Sequence, residues 1–224
     1  FGASWNKEKL IFGQDVPQSE WKMNWFAKSY DGLIETLEKS GYKKGEDFFI
    51  FNYDWTKPVD QIAADLKIYI EGKVNPPPEG KIDLLGHSLG GLVARTYVQR
   101  NPDTNKVDKL ITLGSPHKGA PQVYKAWVGA DLHDLSNIPV RLGAELLLAF
   151  RGKDFKNKVE TLRNTVPLMR DLLPIFDYLK WANSGQVIPE SSLLETSRNL
   201  WLKNLGAPPE LLNLLFAIVG TVGE

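Results

Sequence analysis

Four short apolar runs punctuate the chain, and each reads as a strand. Residues 47–54 form the first, aromatic and β-branched around Phe48-Phe49-Ile50-Phe51 and introduced by the turn-like Lys43-Lys44-Gly45-Glu46. The second, 81–85, follows the breaker Pro76-Pro77-Pro78-Glu79-Gly80; the third is 109–113 and the fourth 214–220. Their apolar character is continuous rather than alternating, as expected of strands buried on both faces of a parallel sheet. Helical spacing fills the intervals. Val59, Ile62, Ala63, Leu66, Tyr69 and Ile70 recur at a period of 3.6, with Pro58 near the start, where a missing N–H costs least. A helix near 30–39 closes at Ser40-Gly41, and another runs from about 89 to 99 and stops before Asn101-Pro102. Strand, helix, strand, helix, strand predicts a doubly wound α/β sheet.

Residues 116–209 break this rhythm. Their pattern is helical, with runs at 142–150, 166–182 and 193–205, and no strand-like segment stands out. The expected organisation is a core over 1–118, a helical cap or lid inserted at 119–209, and a return to the core at 210–224 with the penultimate strand. Within the insertion, Val166, Leu168, Leu172, Leu173, Ile175, Phe176 and Leu179 make a wide apolar face, with Trp181 nearby. That face suits either a lipid-facing cap or a helical subdomain packed on the sheet. The basic stretch 153–158 reads as a solvated face.

Composition narrows the partners. Lys+Arg and Asp+Glu balance at 27 each, which leaves no electrostatic footprint for nucleic acid. Cysteine is absent, so disulfides, thiolate metal sites and cysteine nucleophiles are excluded. Asp131 and Asp134 are too sparse to suggest a metal. No run approaches the roughly 18 apolar residues of a membrane-spanning helix.

Chemistry enters at Gly86-His87-Ser88-Leu89-Gly90-Gly91, a G-x-S-x-G placed between the second predicted strand and the helix that follows. Strand, sharp turn and helix around the serine distinguish a nucleophile elbow from a glycine-rich turn that merely contains a serine. Gly86 and Gly90, two before and two after the serine, are expected to be small because strand and helix backbones approach closely there. The turn lifts the Ser88 hydroxyl clear of the sheet, and the Leu89 N–H, at the start of the helix, faces a developing oxyanion.

The segment 86–95, Gly-His-Ser-Leu-Gly-Gly-Leu-Val-Ala-Arg, resembles the elbow of α/β-hydrolase lipases. Ile111-Thr112-Leu113-Gly114-Ser115-Pro116-His117-Lys118-Gly119 is similar to the loop after the next strand of those enzymes. Asn52-Tyr53-Asp54-Trp55 and Arg170-Asp171-Leu172-Leu173-Pro174 are similar to lecithin:cholesterol acyltransferase-like lipases. The resemblance implies an α/β-hydrolase fold with a helical lid and acyl transfer through an ester of Ser88. It implies a histidine base and an acid in the order serine, acid, histidine. His117 falls in what is a structural loop of similar lipases and His133 in the insertion, so the base is expected beyond the last strand, with Glu224 one candidate for the acid. Phe1-Gly2-Ala3-Ser4-Trp5 resembles the oxyanion loop, which gives Phe1 the second oxyanion N–H and implies that a strand preceding it, and the remainder of the polypeptide, lie outside this chain.

The leading expectation is therefore a serine esterase or lipase acting on carboxylic esters of acyl lipids, in contact with a lipid interface and needing neither cofactor nor metal. A lipid acyltransferase shares every step but the acceptor. A lipid-binding protein that uses the fold without catalysis is the alternative from another class, motivated by the missing base and acid. A cutinase-like polyester hydrolase would have an open site, against which the long insertion argues.

Overall fold

The computed structural model describes residues 4–23, 30–135 and 148–218, together with Arg141 and Glu145. The chain opens with β1 (Ser4–Trp5), α1 (Lys7–Phe12) and β2 (Lys22–Met23), the two strands pairing antiparallel. Next come α2 (Asp31–Lys39) and α3 (Val59–Tyr69), the latter prolonged by a π-turn at Ile70–Val74. Then β3 (Ile82–His87), α4 (Leu89–Arg100) and β4 (Val107–Leu113) alternate as the periodicity predicts. After α5 (Val123–Gly129), α6 (Lys158–Thr165) and α7 (Leu168–Asp171), a small antiparallel pair, β5 (Leu179–Lys180) and β6 (Val187–Ile188), precedes α8 (Leu200–Leu205), α9 (Pro209–Leu214) and β7 (Leu215–Ile218).

The central sheet is parallel, in the order β3-β4-β7. Leu84 pairs with Leu110 and Leu110 with Leu215, so strands distant in sequence meet in register. Val59, Ile62, Ala63 and Leu66 of α3 are buried, as are nine of the twelve residues of α4, which places α4 at the centre of the core. Coverage of the sheet is one-sided. Leu85, Phe216 and Ile218 are 48%, 54% and 60% exposed, so the expected burial on both faces does not hold.

The predicted strand at 47–54 is not one. Apart from an isolated bridge between Lys44 and Phe48, it forms no ladder among the described residues. Side chains take the place of a strand: the Tyr69 hydroxyl donates to Ile50 O at 3.2 Å and the Gln18 amide to Asn52 O at 2.6 Å. Strand-forming residues make the segment extended, but a strand also needs a backbone neighbour.

The run 166–182 yields only the four-residue α7. Pro167 turns Val166 out of the helical region, and Pro174 follows α7 closely. The run 193–205 also shortens. Leu193 and Leu194 are extended, and α8 starts only where the Asn199 side chain accepts from the Leu202 N–H at 2.9 Å. A strand pair, β5 and β6, stands where none was expected. Residues 142–144 and 146–147 of the run 142–150, and 219–220 of the fourth predicted strand, lie outside the described residues. Val166, Leu168, Leu172 and Leu173 are buried in the same core as α3 and α4, so this part of the apolar face meets protein; Phe176 and Trp181 remain exposed.

One buried carboxylate joins α7 to the start of α3. Asp171 Oδ2 accepts from the Val59 N–H at 2.8 Å, capping α3 across 112 residues. Burial raises its pKa from 3.8 to about 6, with the Val59 N–H opposing, the Asp60 charge raising it further and Arg170 opposing again. The sign follows from linkage: a carboxyl whose folded pKa is raised contributes stability that is complete below pH 4 and lost as pH rises through 6, about 3 kcal/mol in all. Asp171→Asn keeps a carbonyl oxygen for Val59 and removes the titration. The difference in urea-unfolding free energy between wild type and variant should therefore fall by about 2–3 kcal/mol between pH 4 and pH 7. A difference that stays flat over that range would show the group to be unperturbed.

Candidate active site

The strand β3 runs straight into α4, and the turn between them is Ser88. Its backbone sits at φ 53°, ψ −123°, a region that residues with a Cβ rarely enter and that costs about 1–3 kcal/mol. Two hydrogen bonds hold it there: the Ser88 N–H donates to Leu113 O on β4 at 2.8 Å, and Ser88 O accepts from the Gly91 N–H at 3.1 Å. Ser88 is partly exposed, whereas the Leu89 side chain is fully buried. As the first residue of α4, Leu89 has no carbonyl four residues back in the helix, so its N–H stands at the positive end of the helix dipole.

The glycines are not equivalent. A Cβ on Gly86 would lie 2.5 Å from Gly90 C and from Gly91 N and Cα, all backbone. On Gly91 it would collide with the Ser115 side chain. On Gly90 it would meet only the Tyr53 hydroxyl, at an ordinary 3.8 Å. The close approach expected at Gly90 thus belongs to Gly91, because the first turn of α4 directs position 91 toward β4 and its loop.

Two histidines flank the elbow, each held by its own partners. His87 Nδ1 lies 2.8 Å from the Tyr30 hydroxyl, the two rings meeting edge to face. Burial lowers the His87 pKa and raises that of Tyr30, which leaves a phenol donating to a neutral imidazole at neutral pH. His117 Nε2 is 3.1 Å from Thr112 Oγ1 and its Nδ1 3.5 Å from Arg95 Nη1, which also donates to His117 O at 3.1 Å. Burial, then the Arg95 charge, pushes its pKa down. With both ring nitrogens engaged, His117 braces the loop after β4 against α4. His133 is exposed beyond α5, its N–H donating to Asp131 Oδ1 at 3.0 Å. No hydrogen bond among the described residues joins a histidine to the Ser88 hydroxyl. Phe1 and Glu224 lie outside the described residues.

The sequence marks no role for Tyr30 or Tyr53, although the segment 52–55 stands out as a motif. That segment ties the start of the chain to the elbow. Asp54 accepts from the Thr56 N–H and hydroxyl at 3.0 and 2.5 Å, Trp55 Nε1 donates to Ser4 O at 3.0 Å, and the Tyr53 N–H donates to Ser4 Oγ at 3.2 Å. The Tyr53 side chain is partly buried against the core, and removal of its phenol from water raises the pKa of that group. Among the described residues no group of three or more His, Asp and Glu side chains could hold a metal ion.

The palmitoyl protein thioesterase family matches residues 23–160, more than half of the chain. The chain belongs to this family. Among individual relatives, a GPI inositol-deacylase of Kluyveromyces lactis is 29% identical over 74% of this chain and 18% of its own length. Phospholipase A(1) LCAT3 of Arabidopsis thaliana is 30% identical over 44% of this chain and 25% of its own, and a GPI inositol-deacylase of Schizosaccharomyces pombe 48% identical over 44% and 10%. The chain thus spans a quarter or less of the length of these relatives. Among solved structures, the mature Bacillus licheniformis lipase BlEst2 aligns over 50% of this chain and 48% of its own, at a TM-score of 0.32 and 22% identity. Family membership together with the parallel sheet and its flanking helices gives this thioesterase-family chain the α/β-hydrolase fold.

Proposed function

We propose that this chain supplies the nucleophile of a serine hydrolase that cleaves carboxylic esters of acyl lipids. The observation that carries the reading is the backbone of Ser88, held at φ 53° between β3 and α4 by hydrogen bonds on both sides. Strain of this kind persists where it positions a reacting group.

Ser88 Oγ attacks the ester carbonyl, and the carbonyl oxygen takes up the negative charge beside the Leu89 N–H, with the Phe1 N–H as second donor. A histidine from elsewhere in the polypeptide receives the Oγ proton and passes it to the departing alcohol. Water then attacks the acyl-enzyme, releasing the fatty acid and restoring the serine. His117 is unsuited to the role of base because Thr112 and Arg95 occupy its ring.

The relatives' names point to acyl groups carried on phospholipids and on the inositol of GPI, and either fits an ester carbonyl delivered to Ser88. Residues 119–209 form the cap over this site. Trp181 and Leu194, 57% and 77% exposed, are the side chains with which the cap meets the lipid.

Labelling of the full polypeptide with a fluorophosphonate, followed by intact mass, tests the reading beside Ser88→Ala. A single adduct that the variant loses is the expected result. Equal labelling of both proteins, or of neither, overturns it.

A further inference from the structure

One face of α4 turns toward the loop after β4, and Ser88 stands at its head. Gly91, Arg95 and Gln99 follow at intervals of four residues, so they stack one turn above another on that face. Gly91 abuts Ser115 of the loop, and the two longer side chains reach further. Arg95 closes the segment 86–95 that resembles a lipase elbow, yet the steps proposed at Ser88 make no use of it. It is only 5% exposed, and among the described residues no carboxylate pairs with it. Its donors go to neutral oxygens instead. Nη1 donates to His117 O at 3.1 Å, Nη2 to Gly206 O, and Nε to Gln99 Oε1 at 2.8 Å. That last bond fixes which way the Gln99 amide faces, and Gln99 Nε2 donates to Leu205 O at 2.9 Å and Gly206 O at 3.3 Å. A guanidinium beside one carboxylate makes a local ion pair; one spread over the main chain of two distant segments ties those segments together.

His117 and Gly206 mark the two ends of the cap proposed above. At the first end the neighbouring bonds stay within the cap: the Ala120 N–H donates to Leu172 O at 2.7 Å, and the Ile175 N–H to Lys118 O at 3.0 Å. At the second, just past α8, Gly206 sits at φ 58°, ψ −163°, a backbone region essentially reserved for glycine. Among the described residues no backbone N–H bonds its carbonyl, and Arg95 and Gln99 serve it in their place. The middle of the cap is held to α3 instead, through Asp171 to Val59 and Trp201 Nε1 to Asp60 Oδ2 at 2.7 Å. Both ends are thus referred to α4, and Arg95 is the residue common to them.

We propose that Arg95 is a positioning residue: its guanidinium clasps both ends of the cap to the helix that begins at the nucleophile, and so sets where the cap holds the acyl chain relative to Ser88. The consequence for catalysis rests on the reading of Ser88 and of the cap given above; the clasp itself rests on the hydrogen bonds alone. The bonds that hold the Ser88 backbone run to Leu113 and Gly91, not to Arg95, so loss of the clasp leaves the serine in place. A long acyl chain reaches past the carbonyl to the cap, and its binding therefore suffers while attack on the carbonyl does not. Lysine is no substitute. It keeps the charge but carries a single nitrogen where arginine spreads three over a rigid plane, so it reaches one end of the cap and not both.

Amide hydrogen exchange read by mass spectrometry, on the full polypeptide and its Arg95→Lys variant, tests the clasp. Peptides over 116–122 and over 200–207 should both exchange about tenfold faster or more in the variant, while a peptide over α3 keeps its wild-type rate. Faster exchange at one end alone, or at neither, overturns the proposal. Hydrolysis of 4-nitrophenyl palmitate tests the positioning: KM should rise about tenfold or more with kcat within about twofold of wild type. A variant that had merely lost folded protein would show the reverse, a lower kcat at unchanged KM, and that result overturns the positioning role. So does a lysine variant equal to wild type in both measurements, since charge without the fork would then suffice. Should Arg95→Lys not fold, Gln99→Ala decides: it should speed exchange at 200–207 and spare 116–122, and wild-type exchange at 200–207 overturns the clasp. If the wild type hydrolyses no ester, the reading of Ser88 fails, and the exchange pattern still decides whether Arg95 joins the two ends.

Discussion

Ser88→Ala should lower kcat/KM for a lipid ester by about 10⁴-fold or more while leaving the unfolding free energy within about 1 kcal/mol of wild type. The loss is large because the acyl-enzyme forms on the Ser88 hydroxyl, and residual turnover would come only from binding and oxyanion stabilisation. The structural effect is small because the Ser88 contacts that hold the elbow are made by its backbone N–H and C=O, which alanine retains. Ser88→Gly sharpens the test. Glycine enters the φ 53° region without a Cβ clash, so it should be as inactive as alanine yet more stable by about 1 kcal/mol. Such a gain on removing a nucleophile would show strain maintained for function. If either variant keeps more than a tenth of the wild-type turnover, Ser88 is not the nucleophile.

What could be read from the sequence, and what could not, divides by the range of the interaction. The elements α3, β3, α4 and β4 follow from local pattern, since Val59, Ile62, Ala63 and Leu66 share a face whatever lies opposite. The sharp turn at Ser88 is legible for the same reason, the strand, turn and helix around it being contiguous. Segment 47–54 differs from its expected strand because Phe48 to Phe51 specify an extended chain but not a partner, and pairing is decided by residues far away. Over 166–182 the apolar spacing predicts a helix, but Pro167 and Pro174 punctuate it and leave only the four residues of α7. Asp171 could not have been recognised as the cap of α3, since it acts across 112 residues. The same holds for His117: its position in the loop was legible, but not the Thr112 and Arg95 contacts that occupy its ring. Gly91 escaped notice because the G-x-S-x-G spacing directs attention to Gly90, while which glycine a strand abuts depends on how α4 is rotated.

That rotation gives the second large effect. Gly86→Ala should destabilise the protein by about 3 kcal/mol or more, read as a lower urea midpoint at unchanged m-value. The added methyl would sit 2.5 Å from three backbone atoms of Gly90 and Gly91, and no side chain can rotate away to accommodate it. Relief requires α4 to lift from β3, yet α4 is held by buried Leu89, Leu92, Val93 and Val98, and packed interiors do not yield by half an ångström without losing contacts along the whole helix. Gly91→Ala should cost less, about 1–2 kcal/mol, because the Ser115 hydroxyl, with no hydrogen-bond partner among the described residues, can turn away, and the Ser115 Cβ at 2.8 Å and Thr112 Cβ at 3.1 Å then need give by only a few tenths of an ångström. Gly90→Ala, with only the Tyr53 hydroxyl at 3.8 Å, should be neutral or gain up to about 0.5 kcal/mol from helix propensity in the first turn of α4. The order 86, 91, 90 is the diagnostic result. A Gly90 variant as damaged as the Gly86 one would mean that α4 meets β3 through a different face, and the Ser88 backbone would then lose the packing that holds it in place.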